Sequence, residues 1–265
     1  MNKIVFGKYL PLDSPIHKLD PRAKIIAMLL MLIAVFIPAG WIGYGIIAVI
    51  LIIVLKMSKI NLKFIVGSLK PMMFMMCFLL VVNILSIKDG VALINLGFLT
   101  IYSGAILQTL YIVVRLALMI MITTTLTVTT KPLDLTLGIE YLLAPLKKIH
   151  VPAHEIAMMI SIALRFIPTI IEETMRIMNS QKSRGVDFDE GSLKEKISAI
   201  VSLIVPLFSV AFQRADELAN AMEARGYVPS AKRTRYKKLK YTVQDFTLLG
   251  GSSLVLITMI VLAVA

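Results

Sequence analysis

The apolar runs of this chain leave it one class of fold. Residues 25–37, 42–55, 71–87, 101–128 and 246–265 carry no charge except Arg115. A backbone in hydrocarbon must satisfy its polar groups internally, so such runs read as helices. About 20 apolar residues cross a bilayer, and the last three runs approach or exceed that length. The first two are shorter, and Pro38-Ala39-Gly40 separates them, with Trp41 and Tyr44 beside the break. They read as a tight helical hairpin whose tip reaches the far interface, where aromatic residues prefer to lie. A single kinked span is the other arrangement open to them. Composition agrees: 58% of residues are hydrophobic, against about 45–50% in soluble domains. The fold class is therefore an all-α integral membrane protein with about five transmembrane helices.

The formal net charge of +12 follows the topology and requires no nucleic acid. Residues 1–24, 56–70 and 129–244 are basic, whereas 38–41 and 88–100 are not. The positive-inside rule then places the N-terminus in the cytoplasm and the C-terminus outside. The cluster Lys232, Arg233, Arg235, Lys237, Lys238 and Lys240 reads as an anchor at anionic headgroups. Residues 1–24 are polar and contain proline, unlike a signal peptide. Cys77 is the one cysteine, which excludes an internal disulfide. Three parts result: a membrane domain of about four spans over 1–128, a cytoplasmic, membrane-apposed domain of amphipathic helices over 129–244, and a transmembrane helix over 245–265.

Proline marks the helix starts. Asp13-Ser14-Pro15 and Asp20-Pro21 each place a capping side chain before a proline. Lys131-Pro132 and Val151-Pro152 read as two more starts. Within 129–244, two long amphipathic patterns end alike, in Ser183-Arg184-Gly185 and in Ala224-Arg225-Gly226. In the second, Ile197, Ile200, Ile204, Phe208, Ala211, Ala215, Leu218 and Met222 form one stripe. Gly185 and Gly226 suit the left-handed residue that closes a helix. Each arginine then stands at a helix tip as a planar, fork-shaped donor suited to a carboxylate on a partner. Read singly, either tripeptide is also an ordinary charged helix end.

Catalytic chemistry is absent from the pattern. Gly7-Lys8 lacks the rest of a phosphate-binding loop. His154-Glu155 opens a zinc-protease motif, but Met158 stands where the second histidine belongs, and Pro152 separates His150 from His154. Neither a catalytic set nor a metal site nor a cofactor is expected. Arg115 is the one ionisable group deep in a span. It is either a functional polar site or a residue facing other helices and bonded to backbone or threonine groups. A self-sufficient secondary transporter would ordinarily show more such groups, with broken helices in repeated halves.

Three stretches together resemble the transmembrane (T) component of energy-coupling factor transporters, the EcfT family: DSPIHKLDPRAK, the run from Thr129 to Pro168, and the two arginine motifs. The resemblance covers nearly the whole chain. It implies that Ser183, Arg184, Gly185, Ala224, Arg225 and Gly226 end coupling helices that dock into two ABC-type ATPase subunits, EcfA and EcfA′-like. The family motif is usually Ala-Arg-Gly, so Ser183 is a small-for-small departure. The resemblance further implies a small membrane S component that binds the vitamin or other micronutrient, a scaffold role without catalysis, and a place in the cell membrane.

Overall fold

A computed structural model describes residues 9–87, 89–95, 100–145, 152–188, 190–228 and 239–264. His150 and most of the basic cluster at 231–240 lie outside the described residues. The chain packs as two units, one within residues 143–238, the other of residues up to Leu142 and from Leu239 onward.

The larger unit is a bundle. It contains α1 (Pro15–Lys18), α2 (Pro21–Phe36), α3 (Gly40–Met57), α4 (Leu62–Leu69), α5 (Met73–Ser86), α6 (Ser103–Thr129), α7 (Pro132–Leu143) and α10 (Val243–Val264). The smaller unit contains α8 (Ala153–Ser183) and α9 (Leu193–Ala224). A short antiparallel pair, β1 (Ala92–Asn95) and β2 (Thr100–Tyr102), follows α5 and precedes α6 in the chain.

The proline signals place the helix starts. Ser14 caps α1, its hydroxyl facing the His17 backbone N–H, and Pro15 begins the helix. Asp20 caps α2, accepting from the Arg22 backbone N–H, and Pro21 follows. Pro132 opens α7 and Pro152 precedes α8. Pro71 does not begin its span; it lies in a 3₁₀ turn, Lys70–Met72, joining α4 to α5.

The break at residues 37–39 separates α2 from α3, and Gly40 takes φ +66° there. Two helices, not one kinked span, therefore occupy 21–57. They are not a closely packed hairpin, however: α2 packs chiefly on α10 and α6. Small residues explain this choice, because they let membrane helices approach. Ala23, Ala27 and Ala34 are buried on α2, and Ser252 is buried on α10 beside Gly251. Gly43 serves the same end between α3 and α10: a Cβ there would stand 2.8 Å from the Met259 sulfur. The core gathers Val35, Tyr44, Ile47, Leu118, Val255 and Met259 from four helices. By contrast, α5 buries none of its side chains, and Phe74, Phe78 and Leu85 are exposed.

Among the described residues, six helices are long and apolar enough to cross a membrane: α3, residues 67–86, α6, most of α8, α9 and α10. The expected five differ in two respects. With 16 residues, α2 is only about 24 Å long, less than the roughly 30 Å hydrocarbon thickness. Conversely, α8 and α9 each contain a sufficiently apolar window, although both are charged elsewhere along their length. Helix α7 packs with the bundle: a Cβ on Gly138 would stand 3.0 Å from Ile25 and 3.2 Å from Pro21. The packing boundary thus falls after residue 142, later than the change in charge texture at 129.

Candidate functional site: two arginine tips and a polar knot

The two arginine tips are built the same way. Helix α8 ends with Arg184 as its C-cap and Gly185 at φ +87°. The Gly185 N–H donates to the Lys182 carbonyl at 3.0 Å, and the Val186 N–H reaches back to the Gln181 carbonyl at 3.1 Å. Helix α9 repeats this with Arg225 as C-cap and Gly226 at φ +68°. There the Gly226 N–H meets the Glu223 carbonyl at 2.8 Å and the Tyr227 N–H meets the Met222 carbonyl at 2.9 Å. This paired closure, one long and one short bond around a left-handed residue, satisfies the last helix carbonyls. It also stops the chain sharply, so each arginine stands at the tip.

Arg184 and Arg225 are exposed, as are Ser183 and Ala224. Among the described residues neither guanidinium has a hydrogen bond or ion pair. Two planar five-donor groups therefore point outward unspent. No atom lies within 4 Å of a Cβ added at Gly185 or Gly226, so only φ requires glycine there. Gly185→Ala and Gly226→Ala are each expected to destabilise the helix end by about 1–2 kcal/mol through the left-handed backbone. Asparagine, which tolerates that region, should cost less. Thermal unfolding of the purified variants reads both.

The tips also face different ways along the pair. Helices α8 and α9 pack together, with Ala157 and Ala199 buried. The Tyr227 hydroxyl donates to the Met158 sulfur at 3.4 Å. The Arg225 tip is thus beside the start of α8, whereas Arg184 ends it. From Met158 to Arg184 an unbent helix would run about 39 Å at 1.5 Å per residue. One flat partner patch does not readily serve both arginines.

The apolar stripe of α9 is open at its first half. Ile197, Ile200, Ile204 and Phe208 are exposed, and Phe208 stacks on Phe212 with ring centroids 6.3 Å apart. Leu218 and Met222 are half-buried. A capping box starts this helix: the Ser192 N–H donates to Glu195 Oε2 at 2.7 Å.

Arg115 lies elsewhere, in the bundle. Its Nε donates to the Tyr44 hydroxyl at 2.6 Å, and its Cζ stands 5.3 Å from the Tyr111 ring centroid. The partners are tyrosines, not the threonines of its own helix. Thr125, Thr127 and Thr129 instead donate to the carbonyls of Met121, Thr123 and Thr125, the usual back-bond of a hydroxyl inside a helix.

A polar knot at the starts of α2 and α10 is the feature that sequence spacing does not reveal. Asp245 is fully buried. Its Oδ1 accepts from the Asp20 backbone N–H at 2.7 Å. Its Oδ2 accepts from the Thr242 N–H at 2.7 Å and the Thr242 hydroxyl at 2.8 Å. The Asp20 side chain meanwhile holds the Arg22 guanidinium through Nε at 3.1 Å and Nη2 at 2.9 Å. Lys24, also buried, donates from Nζ to the carbonyls of His17 and Thr129 at 3.2 and 3.0 Å. His17 donates from Nε2 to the Leu10 carbonyl at 3.1 Å, and burial pushes its pKa down. The knot ties α1, α2, α6 and α10 together through charges whose donors and acceptors are met. Its stretch His17–Lys24 lies in a motif visible in the sequence; Asp245 and Thr242 stand far outside it. Among the described residues no three His, Cys, Asp or Glu side chains converge as a metal site would require.

Comparison with known proteins identifies the family. The family model CbiQ, described as cobalt transport protein, matches residues 13–236. The energy-coupling factor transporter transmembrane protein EcfT of Macrococcus caseolyticus is 42% identical over 262 residues, covering 99% of this chain and 98% of the relative. Its Bacillus subtilis counterpart is 43% identical, covering 99% and 97%. That of Ruminiclostridium cellulolyticum is 45% identical, covering 98% and 96%. With a family match over most of its length and end-to-end relatives at this identity, the chain belongs to the CbiQ/EcfT family of transport proteins.

Proposed function

We propose that this chain is the transmembrane scaffold and coupling subunit of an energy-coupling factor importer. Two ABC-type ATPase subunits, EcfA and EcfA′-like, receive Arg184 and Arg225, one each. The observation that carries this reading is the pair of identically capped, exposed arginine tips at opposite ends of α8 and α9. A guanidinium fork pairs with a carboxylate through two parallel hydrogen bonds, so a groove that closes on ATP can grip and move it. Helices α8 and α9 carry that motion, and the open apolar face of α9 suits a small hydrophobic S component, which binds the vitamin or other micronutrient. ATP is hydrolysed by the partners. The basic loops support an N-terminus in the cytoplasm, with α8 and α9 on the same side of the plasma membrane.

The purified chain alone in liposomes tests this. It should retain no ATP and accumulate no substrate, and uptake should appear when the ATPase pair, ATP and an S component are supplied. Uptake by the chain alone, driven by an ion gradient, would instead establish a self-sufficient secondary transporter.

A further inference from the structure

The chain leaves the bundle for α8 after residue 142 and returns from α9 at residue 239. Tyr141 lies just before the first connection and Tyr241 just after the second. Both rings converge on one guanidinium: Arg22 Cζ stands 5.0 Å from the Tyr141 centroid and 4.1 Å from the Tyr241 centroid. Asp20, buried and itself held at its backbone by Asp245, fixes that guanidinium by its bidentate pair. Neutralising Asp20 needs nothing beyond this pair. The two rings add a different property: they join the end of α7 and the approach to α10 to the start of α2 through the faces of one cation, which is attracted to the negative face of an aromatic ring. Lysine could not make the same arrangement, because it lacks the plane that stacks and the fork that pairs.

We propose that Arg22 is a positioning residue for transport, the pin that holds the end of α7 and the approach to α10, where the chain leaves and re-enters the bundle, together on the start of α2. This rests on the coupling role proposed above. When α8 and α9 are displaced, the pin makes Tyr141 and Tyr241 move as one and passes the displacement to α2, and through Asp20 and Asp245 to α10. Without it, the end of α7 and the approach to α10 yield separately and the stroke is lost before it reaches α2.

The test uses the complete transporter in vesicles, with ATP hydrolysis and substrate uptake measured on the same sample. Tyr141→Leu with Tyr241→Leu removes both rings and leaves the Arg22–Asp20 pair. This variant should assemble and hydrolyse ATP like the parent, while uptake per ATP falls about fivefold or more, as expected for two lost cation–ring contacts. Tyr141→Phe with Tyr241→Phe keeps both faces and should keep the ratio. An unchanged ratio in the leucine pair, or a loss of hydrolysis and uptake in strict proportion to folded protein, would overturn the pin. A second arm does not depend on the leucine pair folding. Cysteines at 141 and 241 in a Cys77→Ser background are joined by a short thiol cross-linker. Uptake should survive, because the two positions stay together through the cycle; hydrolysis persisting while uptake stops would overturn the proposal. A parent chain that transports without ATPases would remove the coupling role itself, and the pin with it, before any variant is made.

Discussion

Replacing Arg184 and Arg225 together by alanine is expected to release the ATPases, or to leave them hydrolysing ATP without transport, in a chain that still folds. Each truncation should cost docking about 2–5 kcal/mol, part of it from the carboxylate left unpaired on the partner. Either single change then impairs uptake by weakening one grip, and the double change removes both. Folding should hardly respond. Both guanidinium groups are exposed, and a cation at a helix end contributes only about 0.3–1 kcal/mol through the dipole. Lysine restores the charge without the planar fork, so Arg184→Lys and Arg225→Lys should recover uptake only in part. Pull-down of the ATPase pair with uptake in parallel reads the series. A double-alanine variant that assembles and transports like the parent would reduce both motifs to helix caps.

Asp245→Ala is expected to destabilise the bundle. The buried carboxylate accepts from two backbone N–H groups and one hydroxyl. Alanine strands the buried Asp20 N–H, at a cost of about 1–3 kcal/mol, and frees the N–H and hydroxyl of the exposed Thr242 to turn to water. A loss of about 1–3 kcal/mol is a substantial part of the roughly 5–15 kcal/mol that holds a typical domain together. Asparagine keeps one acceptor for Asp20 and turns an amide donor toward Thr242, so Asp245→Asn should fall between. Thermal unfolding in detergent reads both, with Asp13→Ala as a control: its carboxylate pairs with Lys18 at an exposed site, where an ion pair contributes little. An Asp245→Ala chain that unfolds with the parent would show that the knot carries no stability.

The two sites differ in how far the sequence discloses them. An arginine tip is a local object. Its helix, its left-handed glycine and its outward side chain are all set within a few residues, so spacing and propensity reveal it. The caps at Ser14 and Asp20 are legible for the same reason. The knot is not local: Asp20 and Asp245 are separated by 225 positions, and nothing in either neighbourhood names the other. Arg115 is an intermediate case. Its depth in an apolar run marks it as needing a partner, but the choice of Tyr44 over nearby threonines depends on how α3 lies against α6. Helix pairing escaped in the same way. The turn at residues 37–39 suggests that α2 and α3 lie side by side, yet the small faces of α2 and α10 pack more closely, and that outcome is decided by residues at opposite ends of the chain.

We propose that this chain works as one subunit among several, with two different ATPase grooves on its two arginines. Native mass measurement of the complex that co-purifies with the tagged chain tests this most directly. One copy of the chain should appear with two ATPase subunits and a small hydrophobic membrane protein, and the ATPases should be lost together in the double-arginine variant. A chain that purifies alone from its own membranes and transports unaided would contradict it.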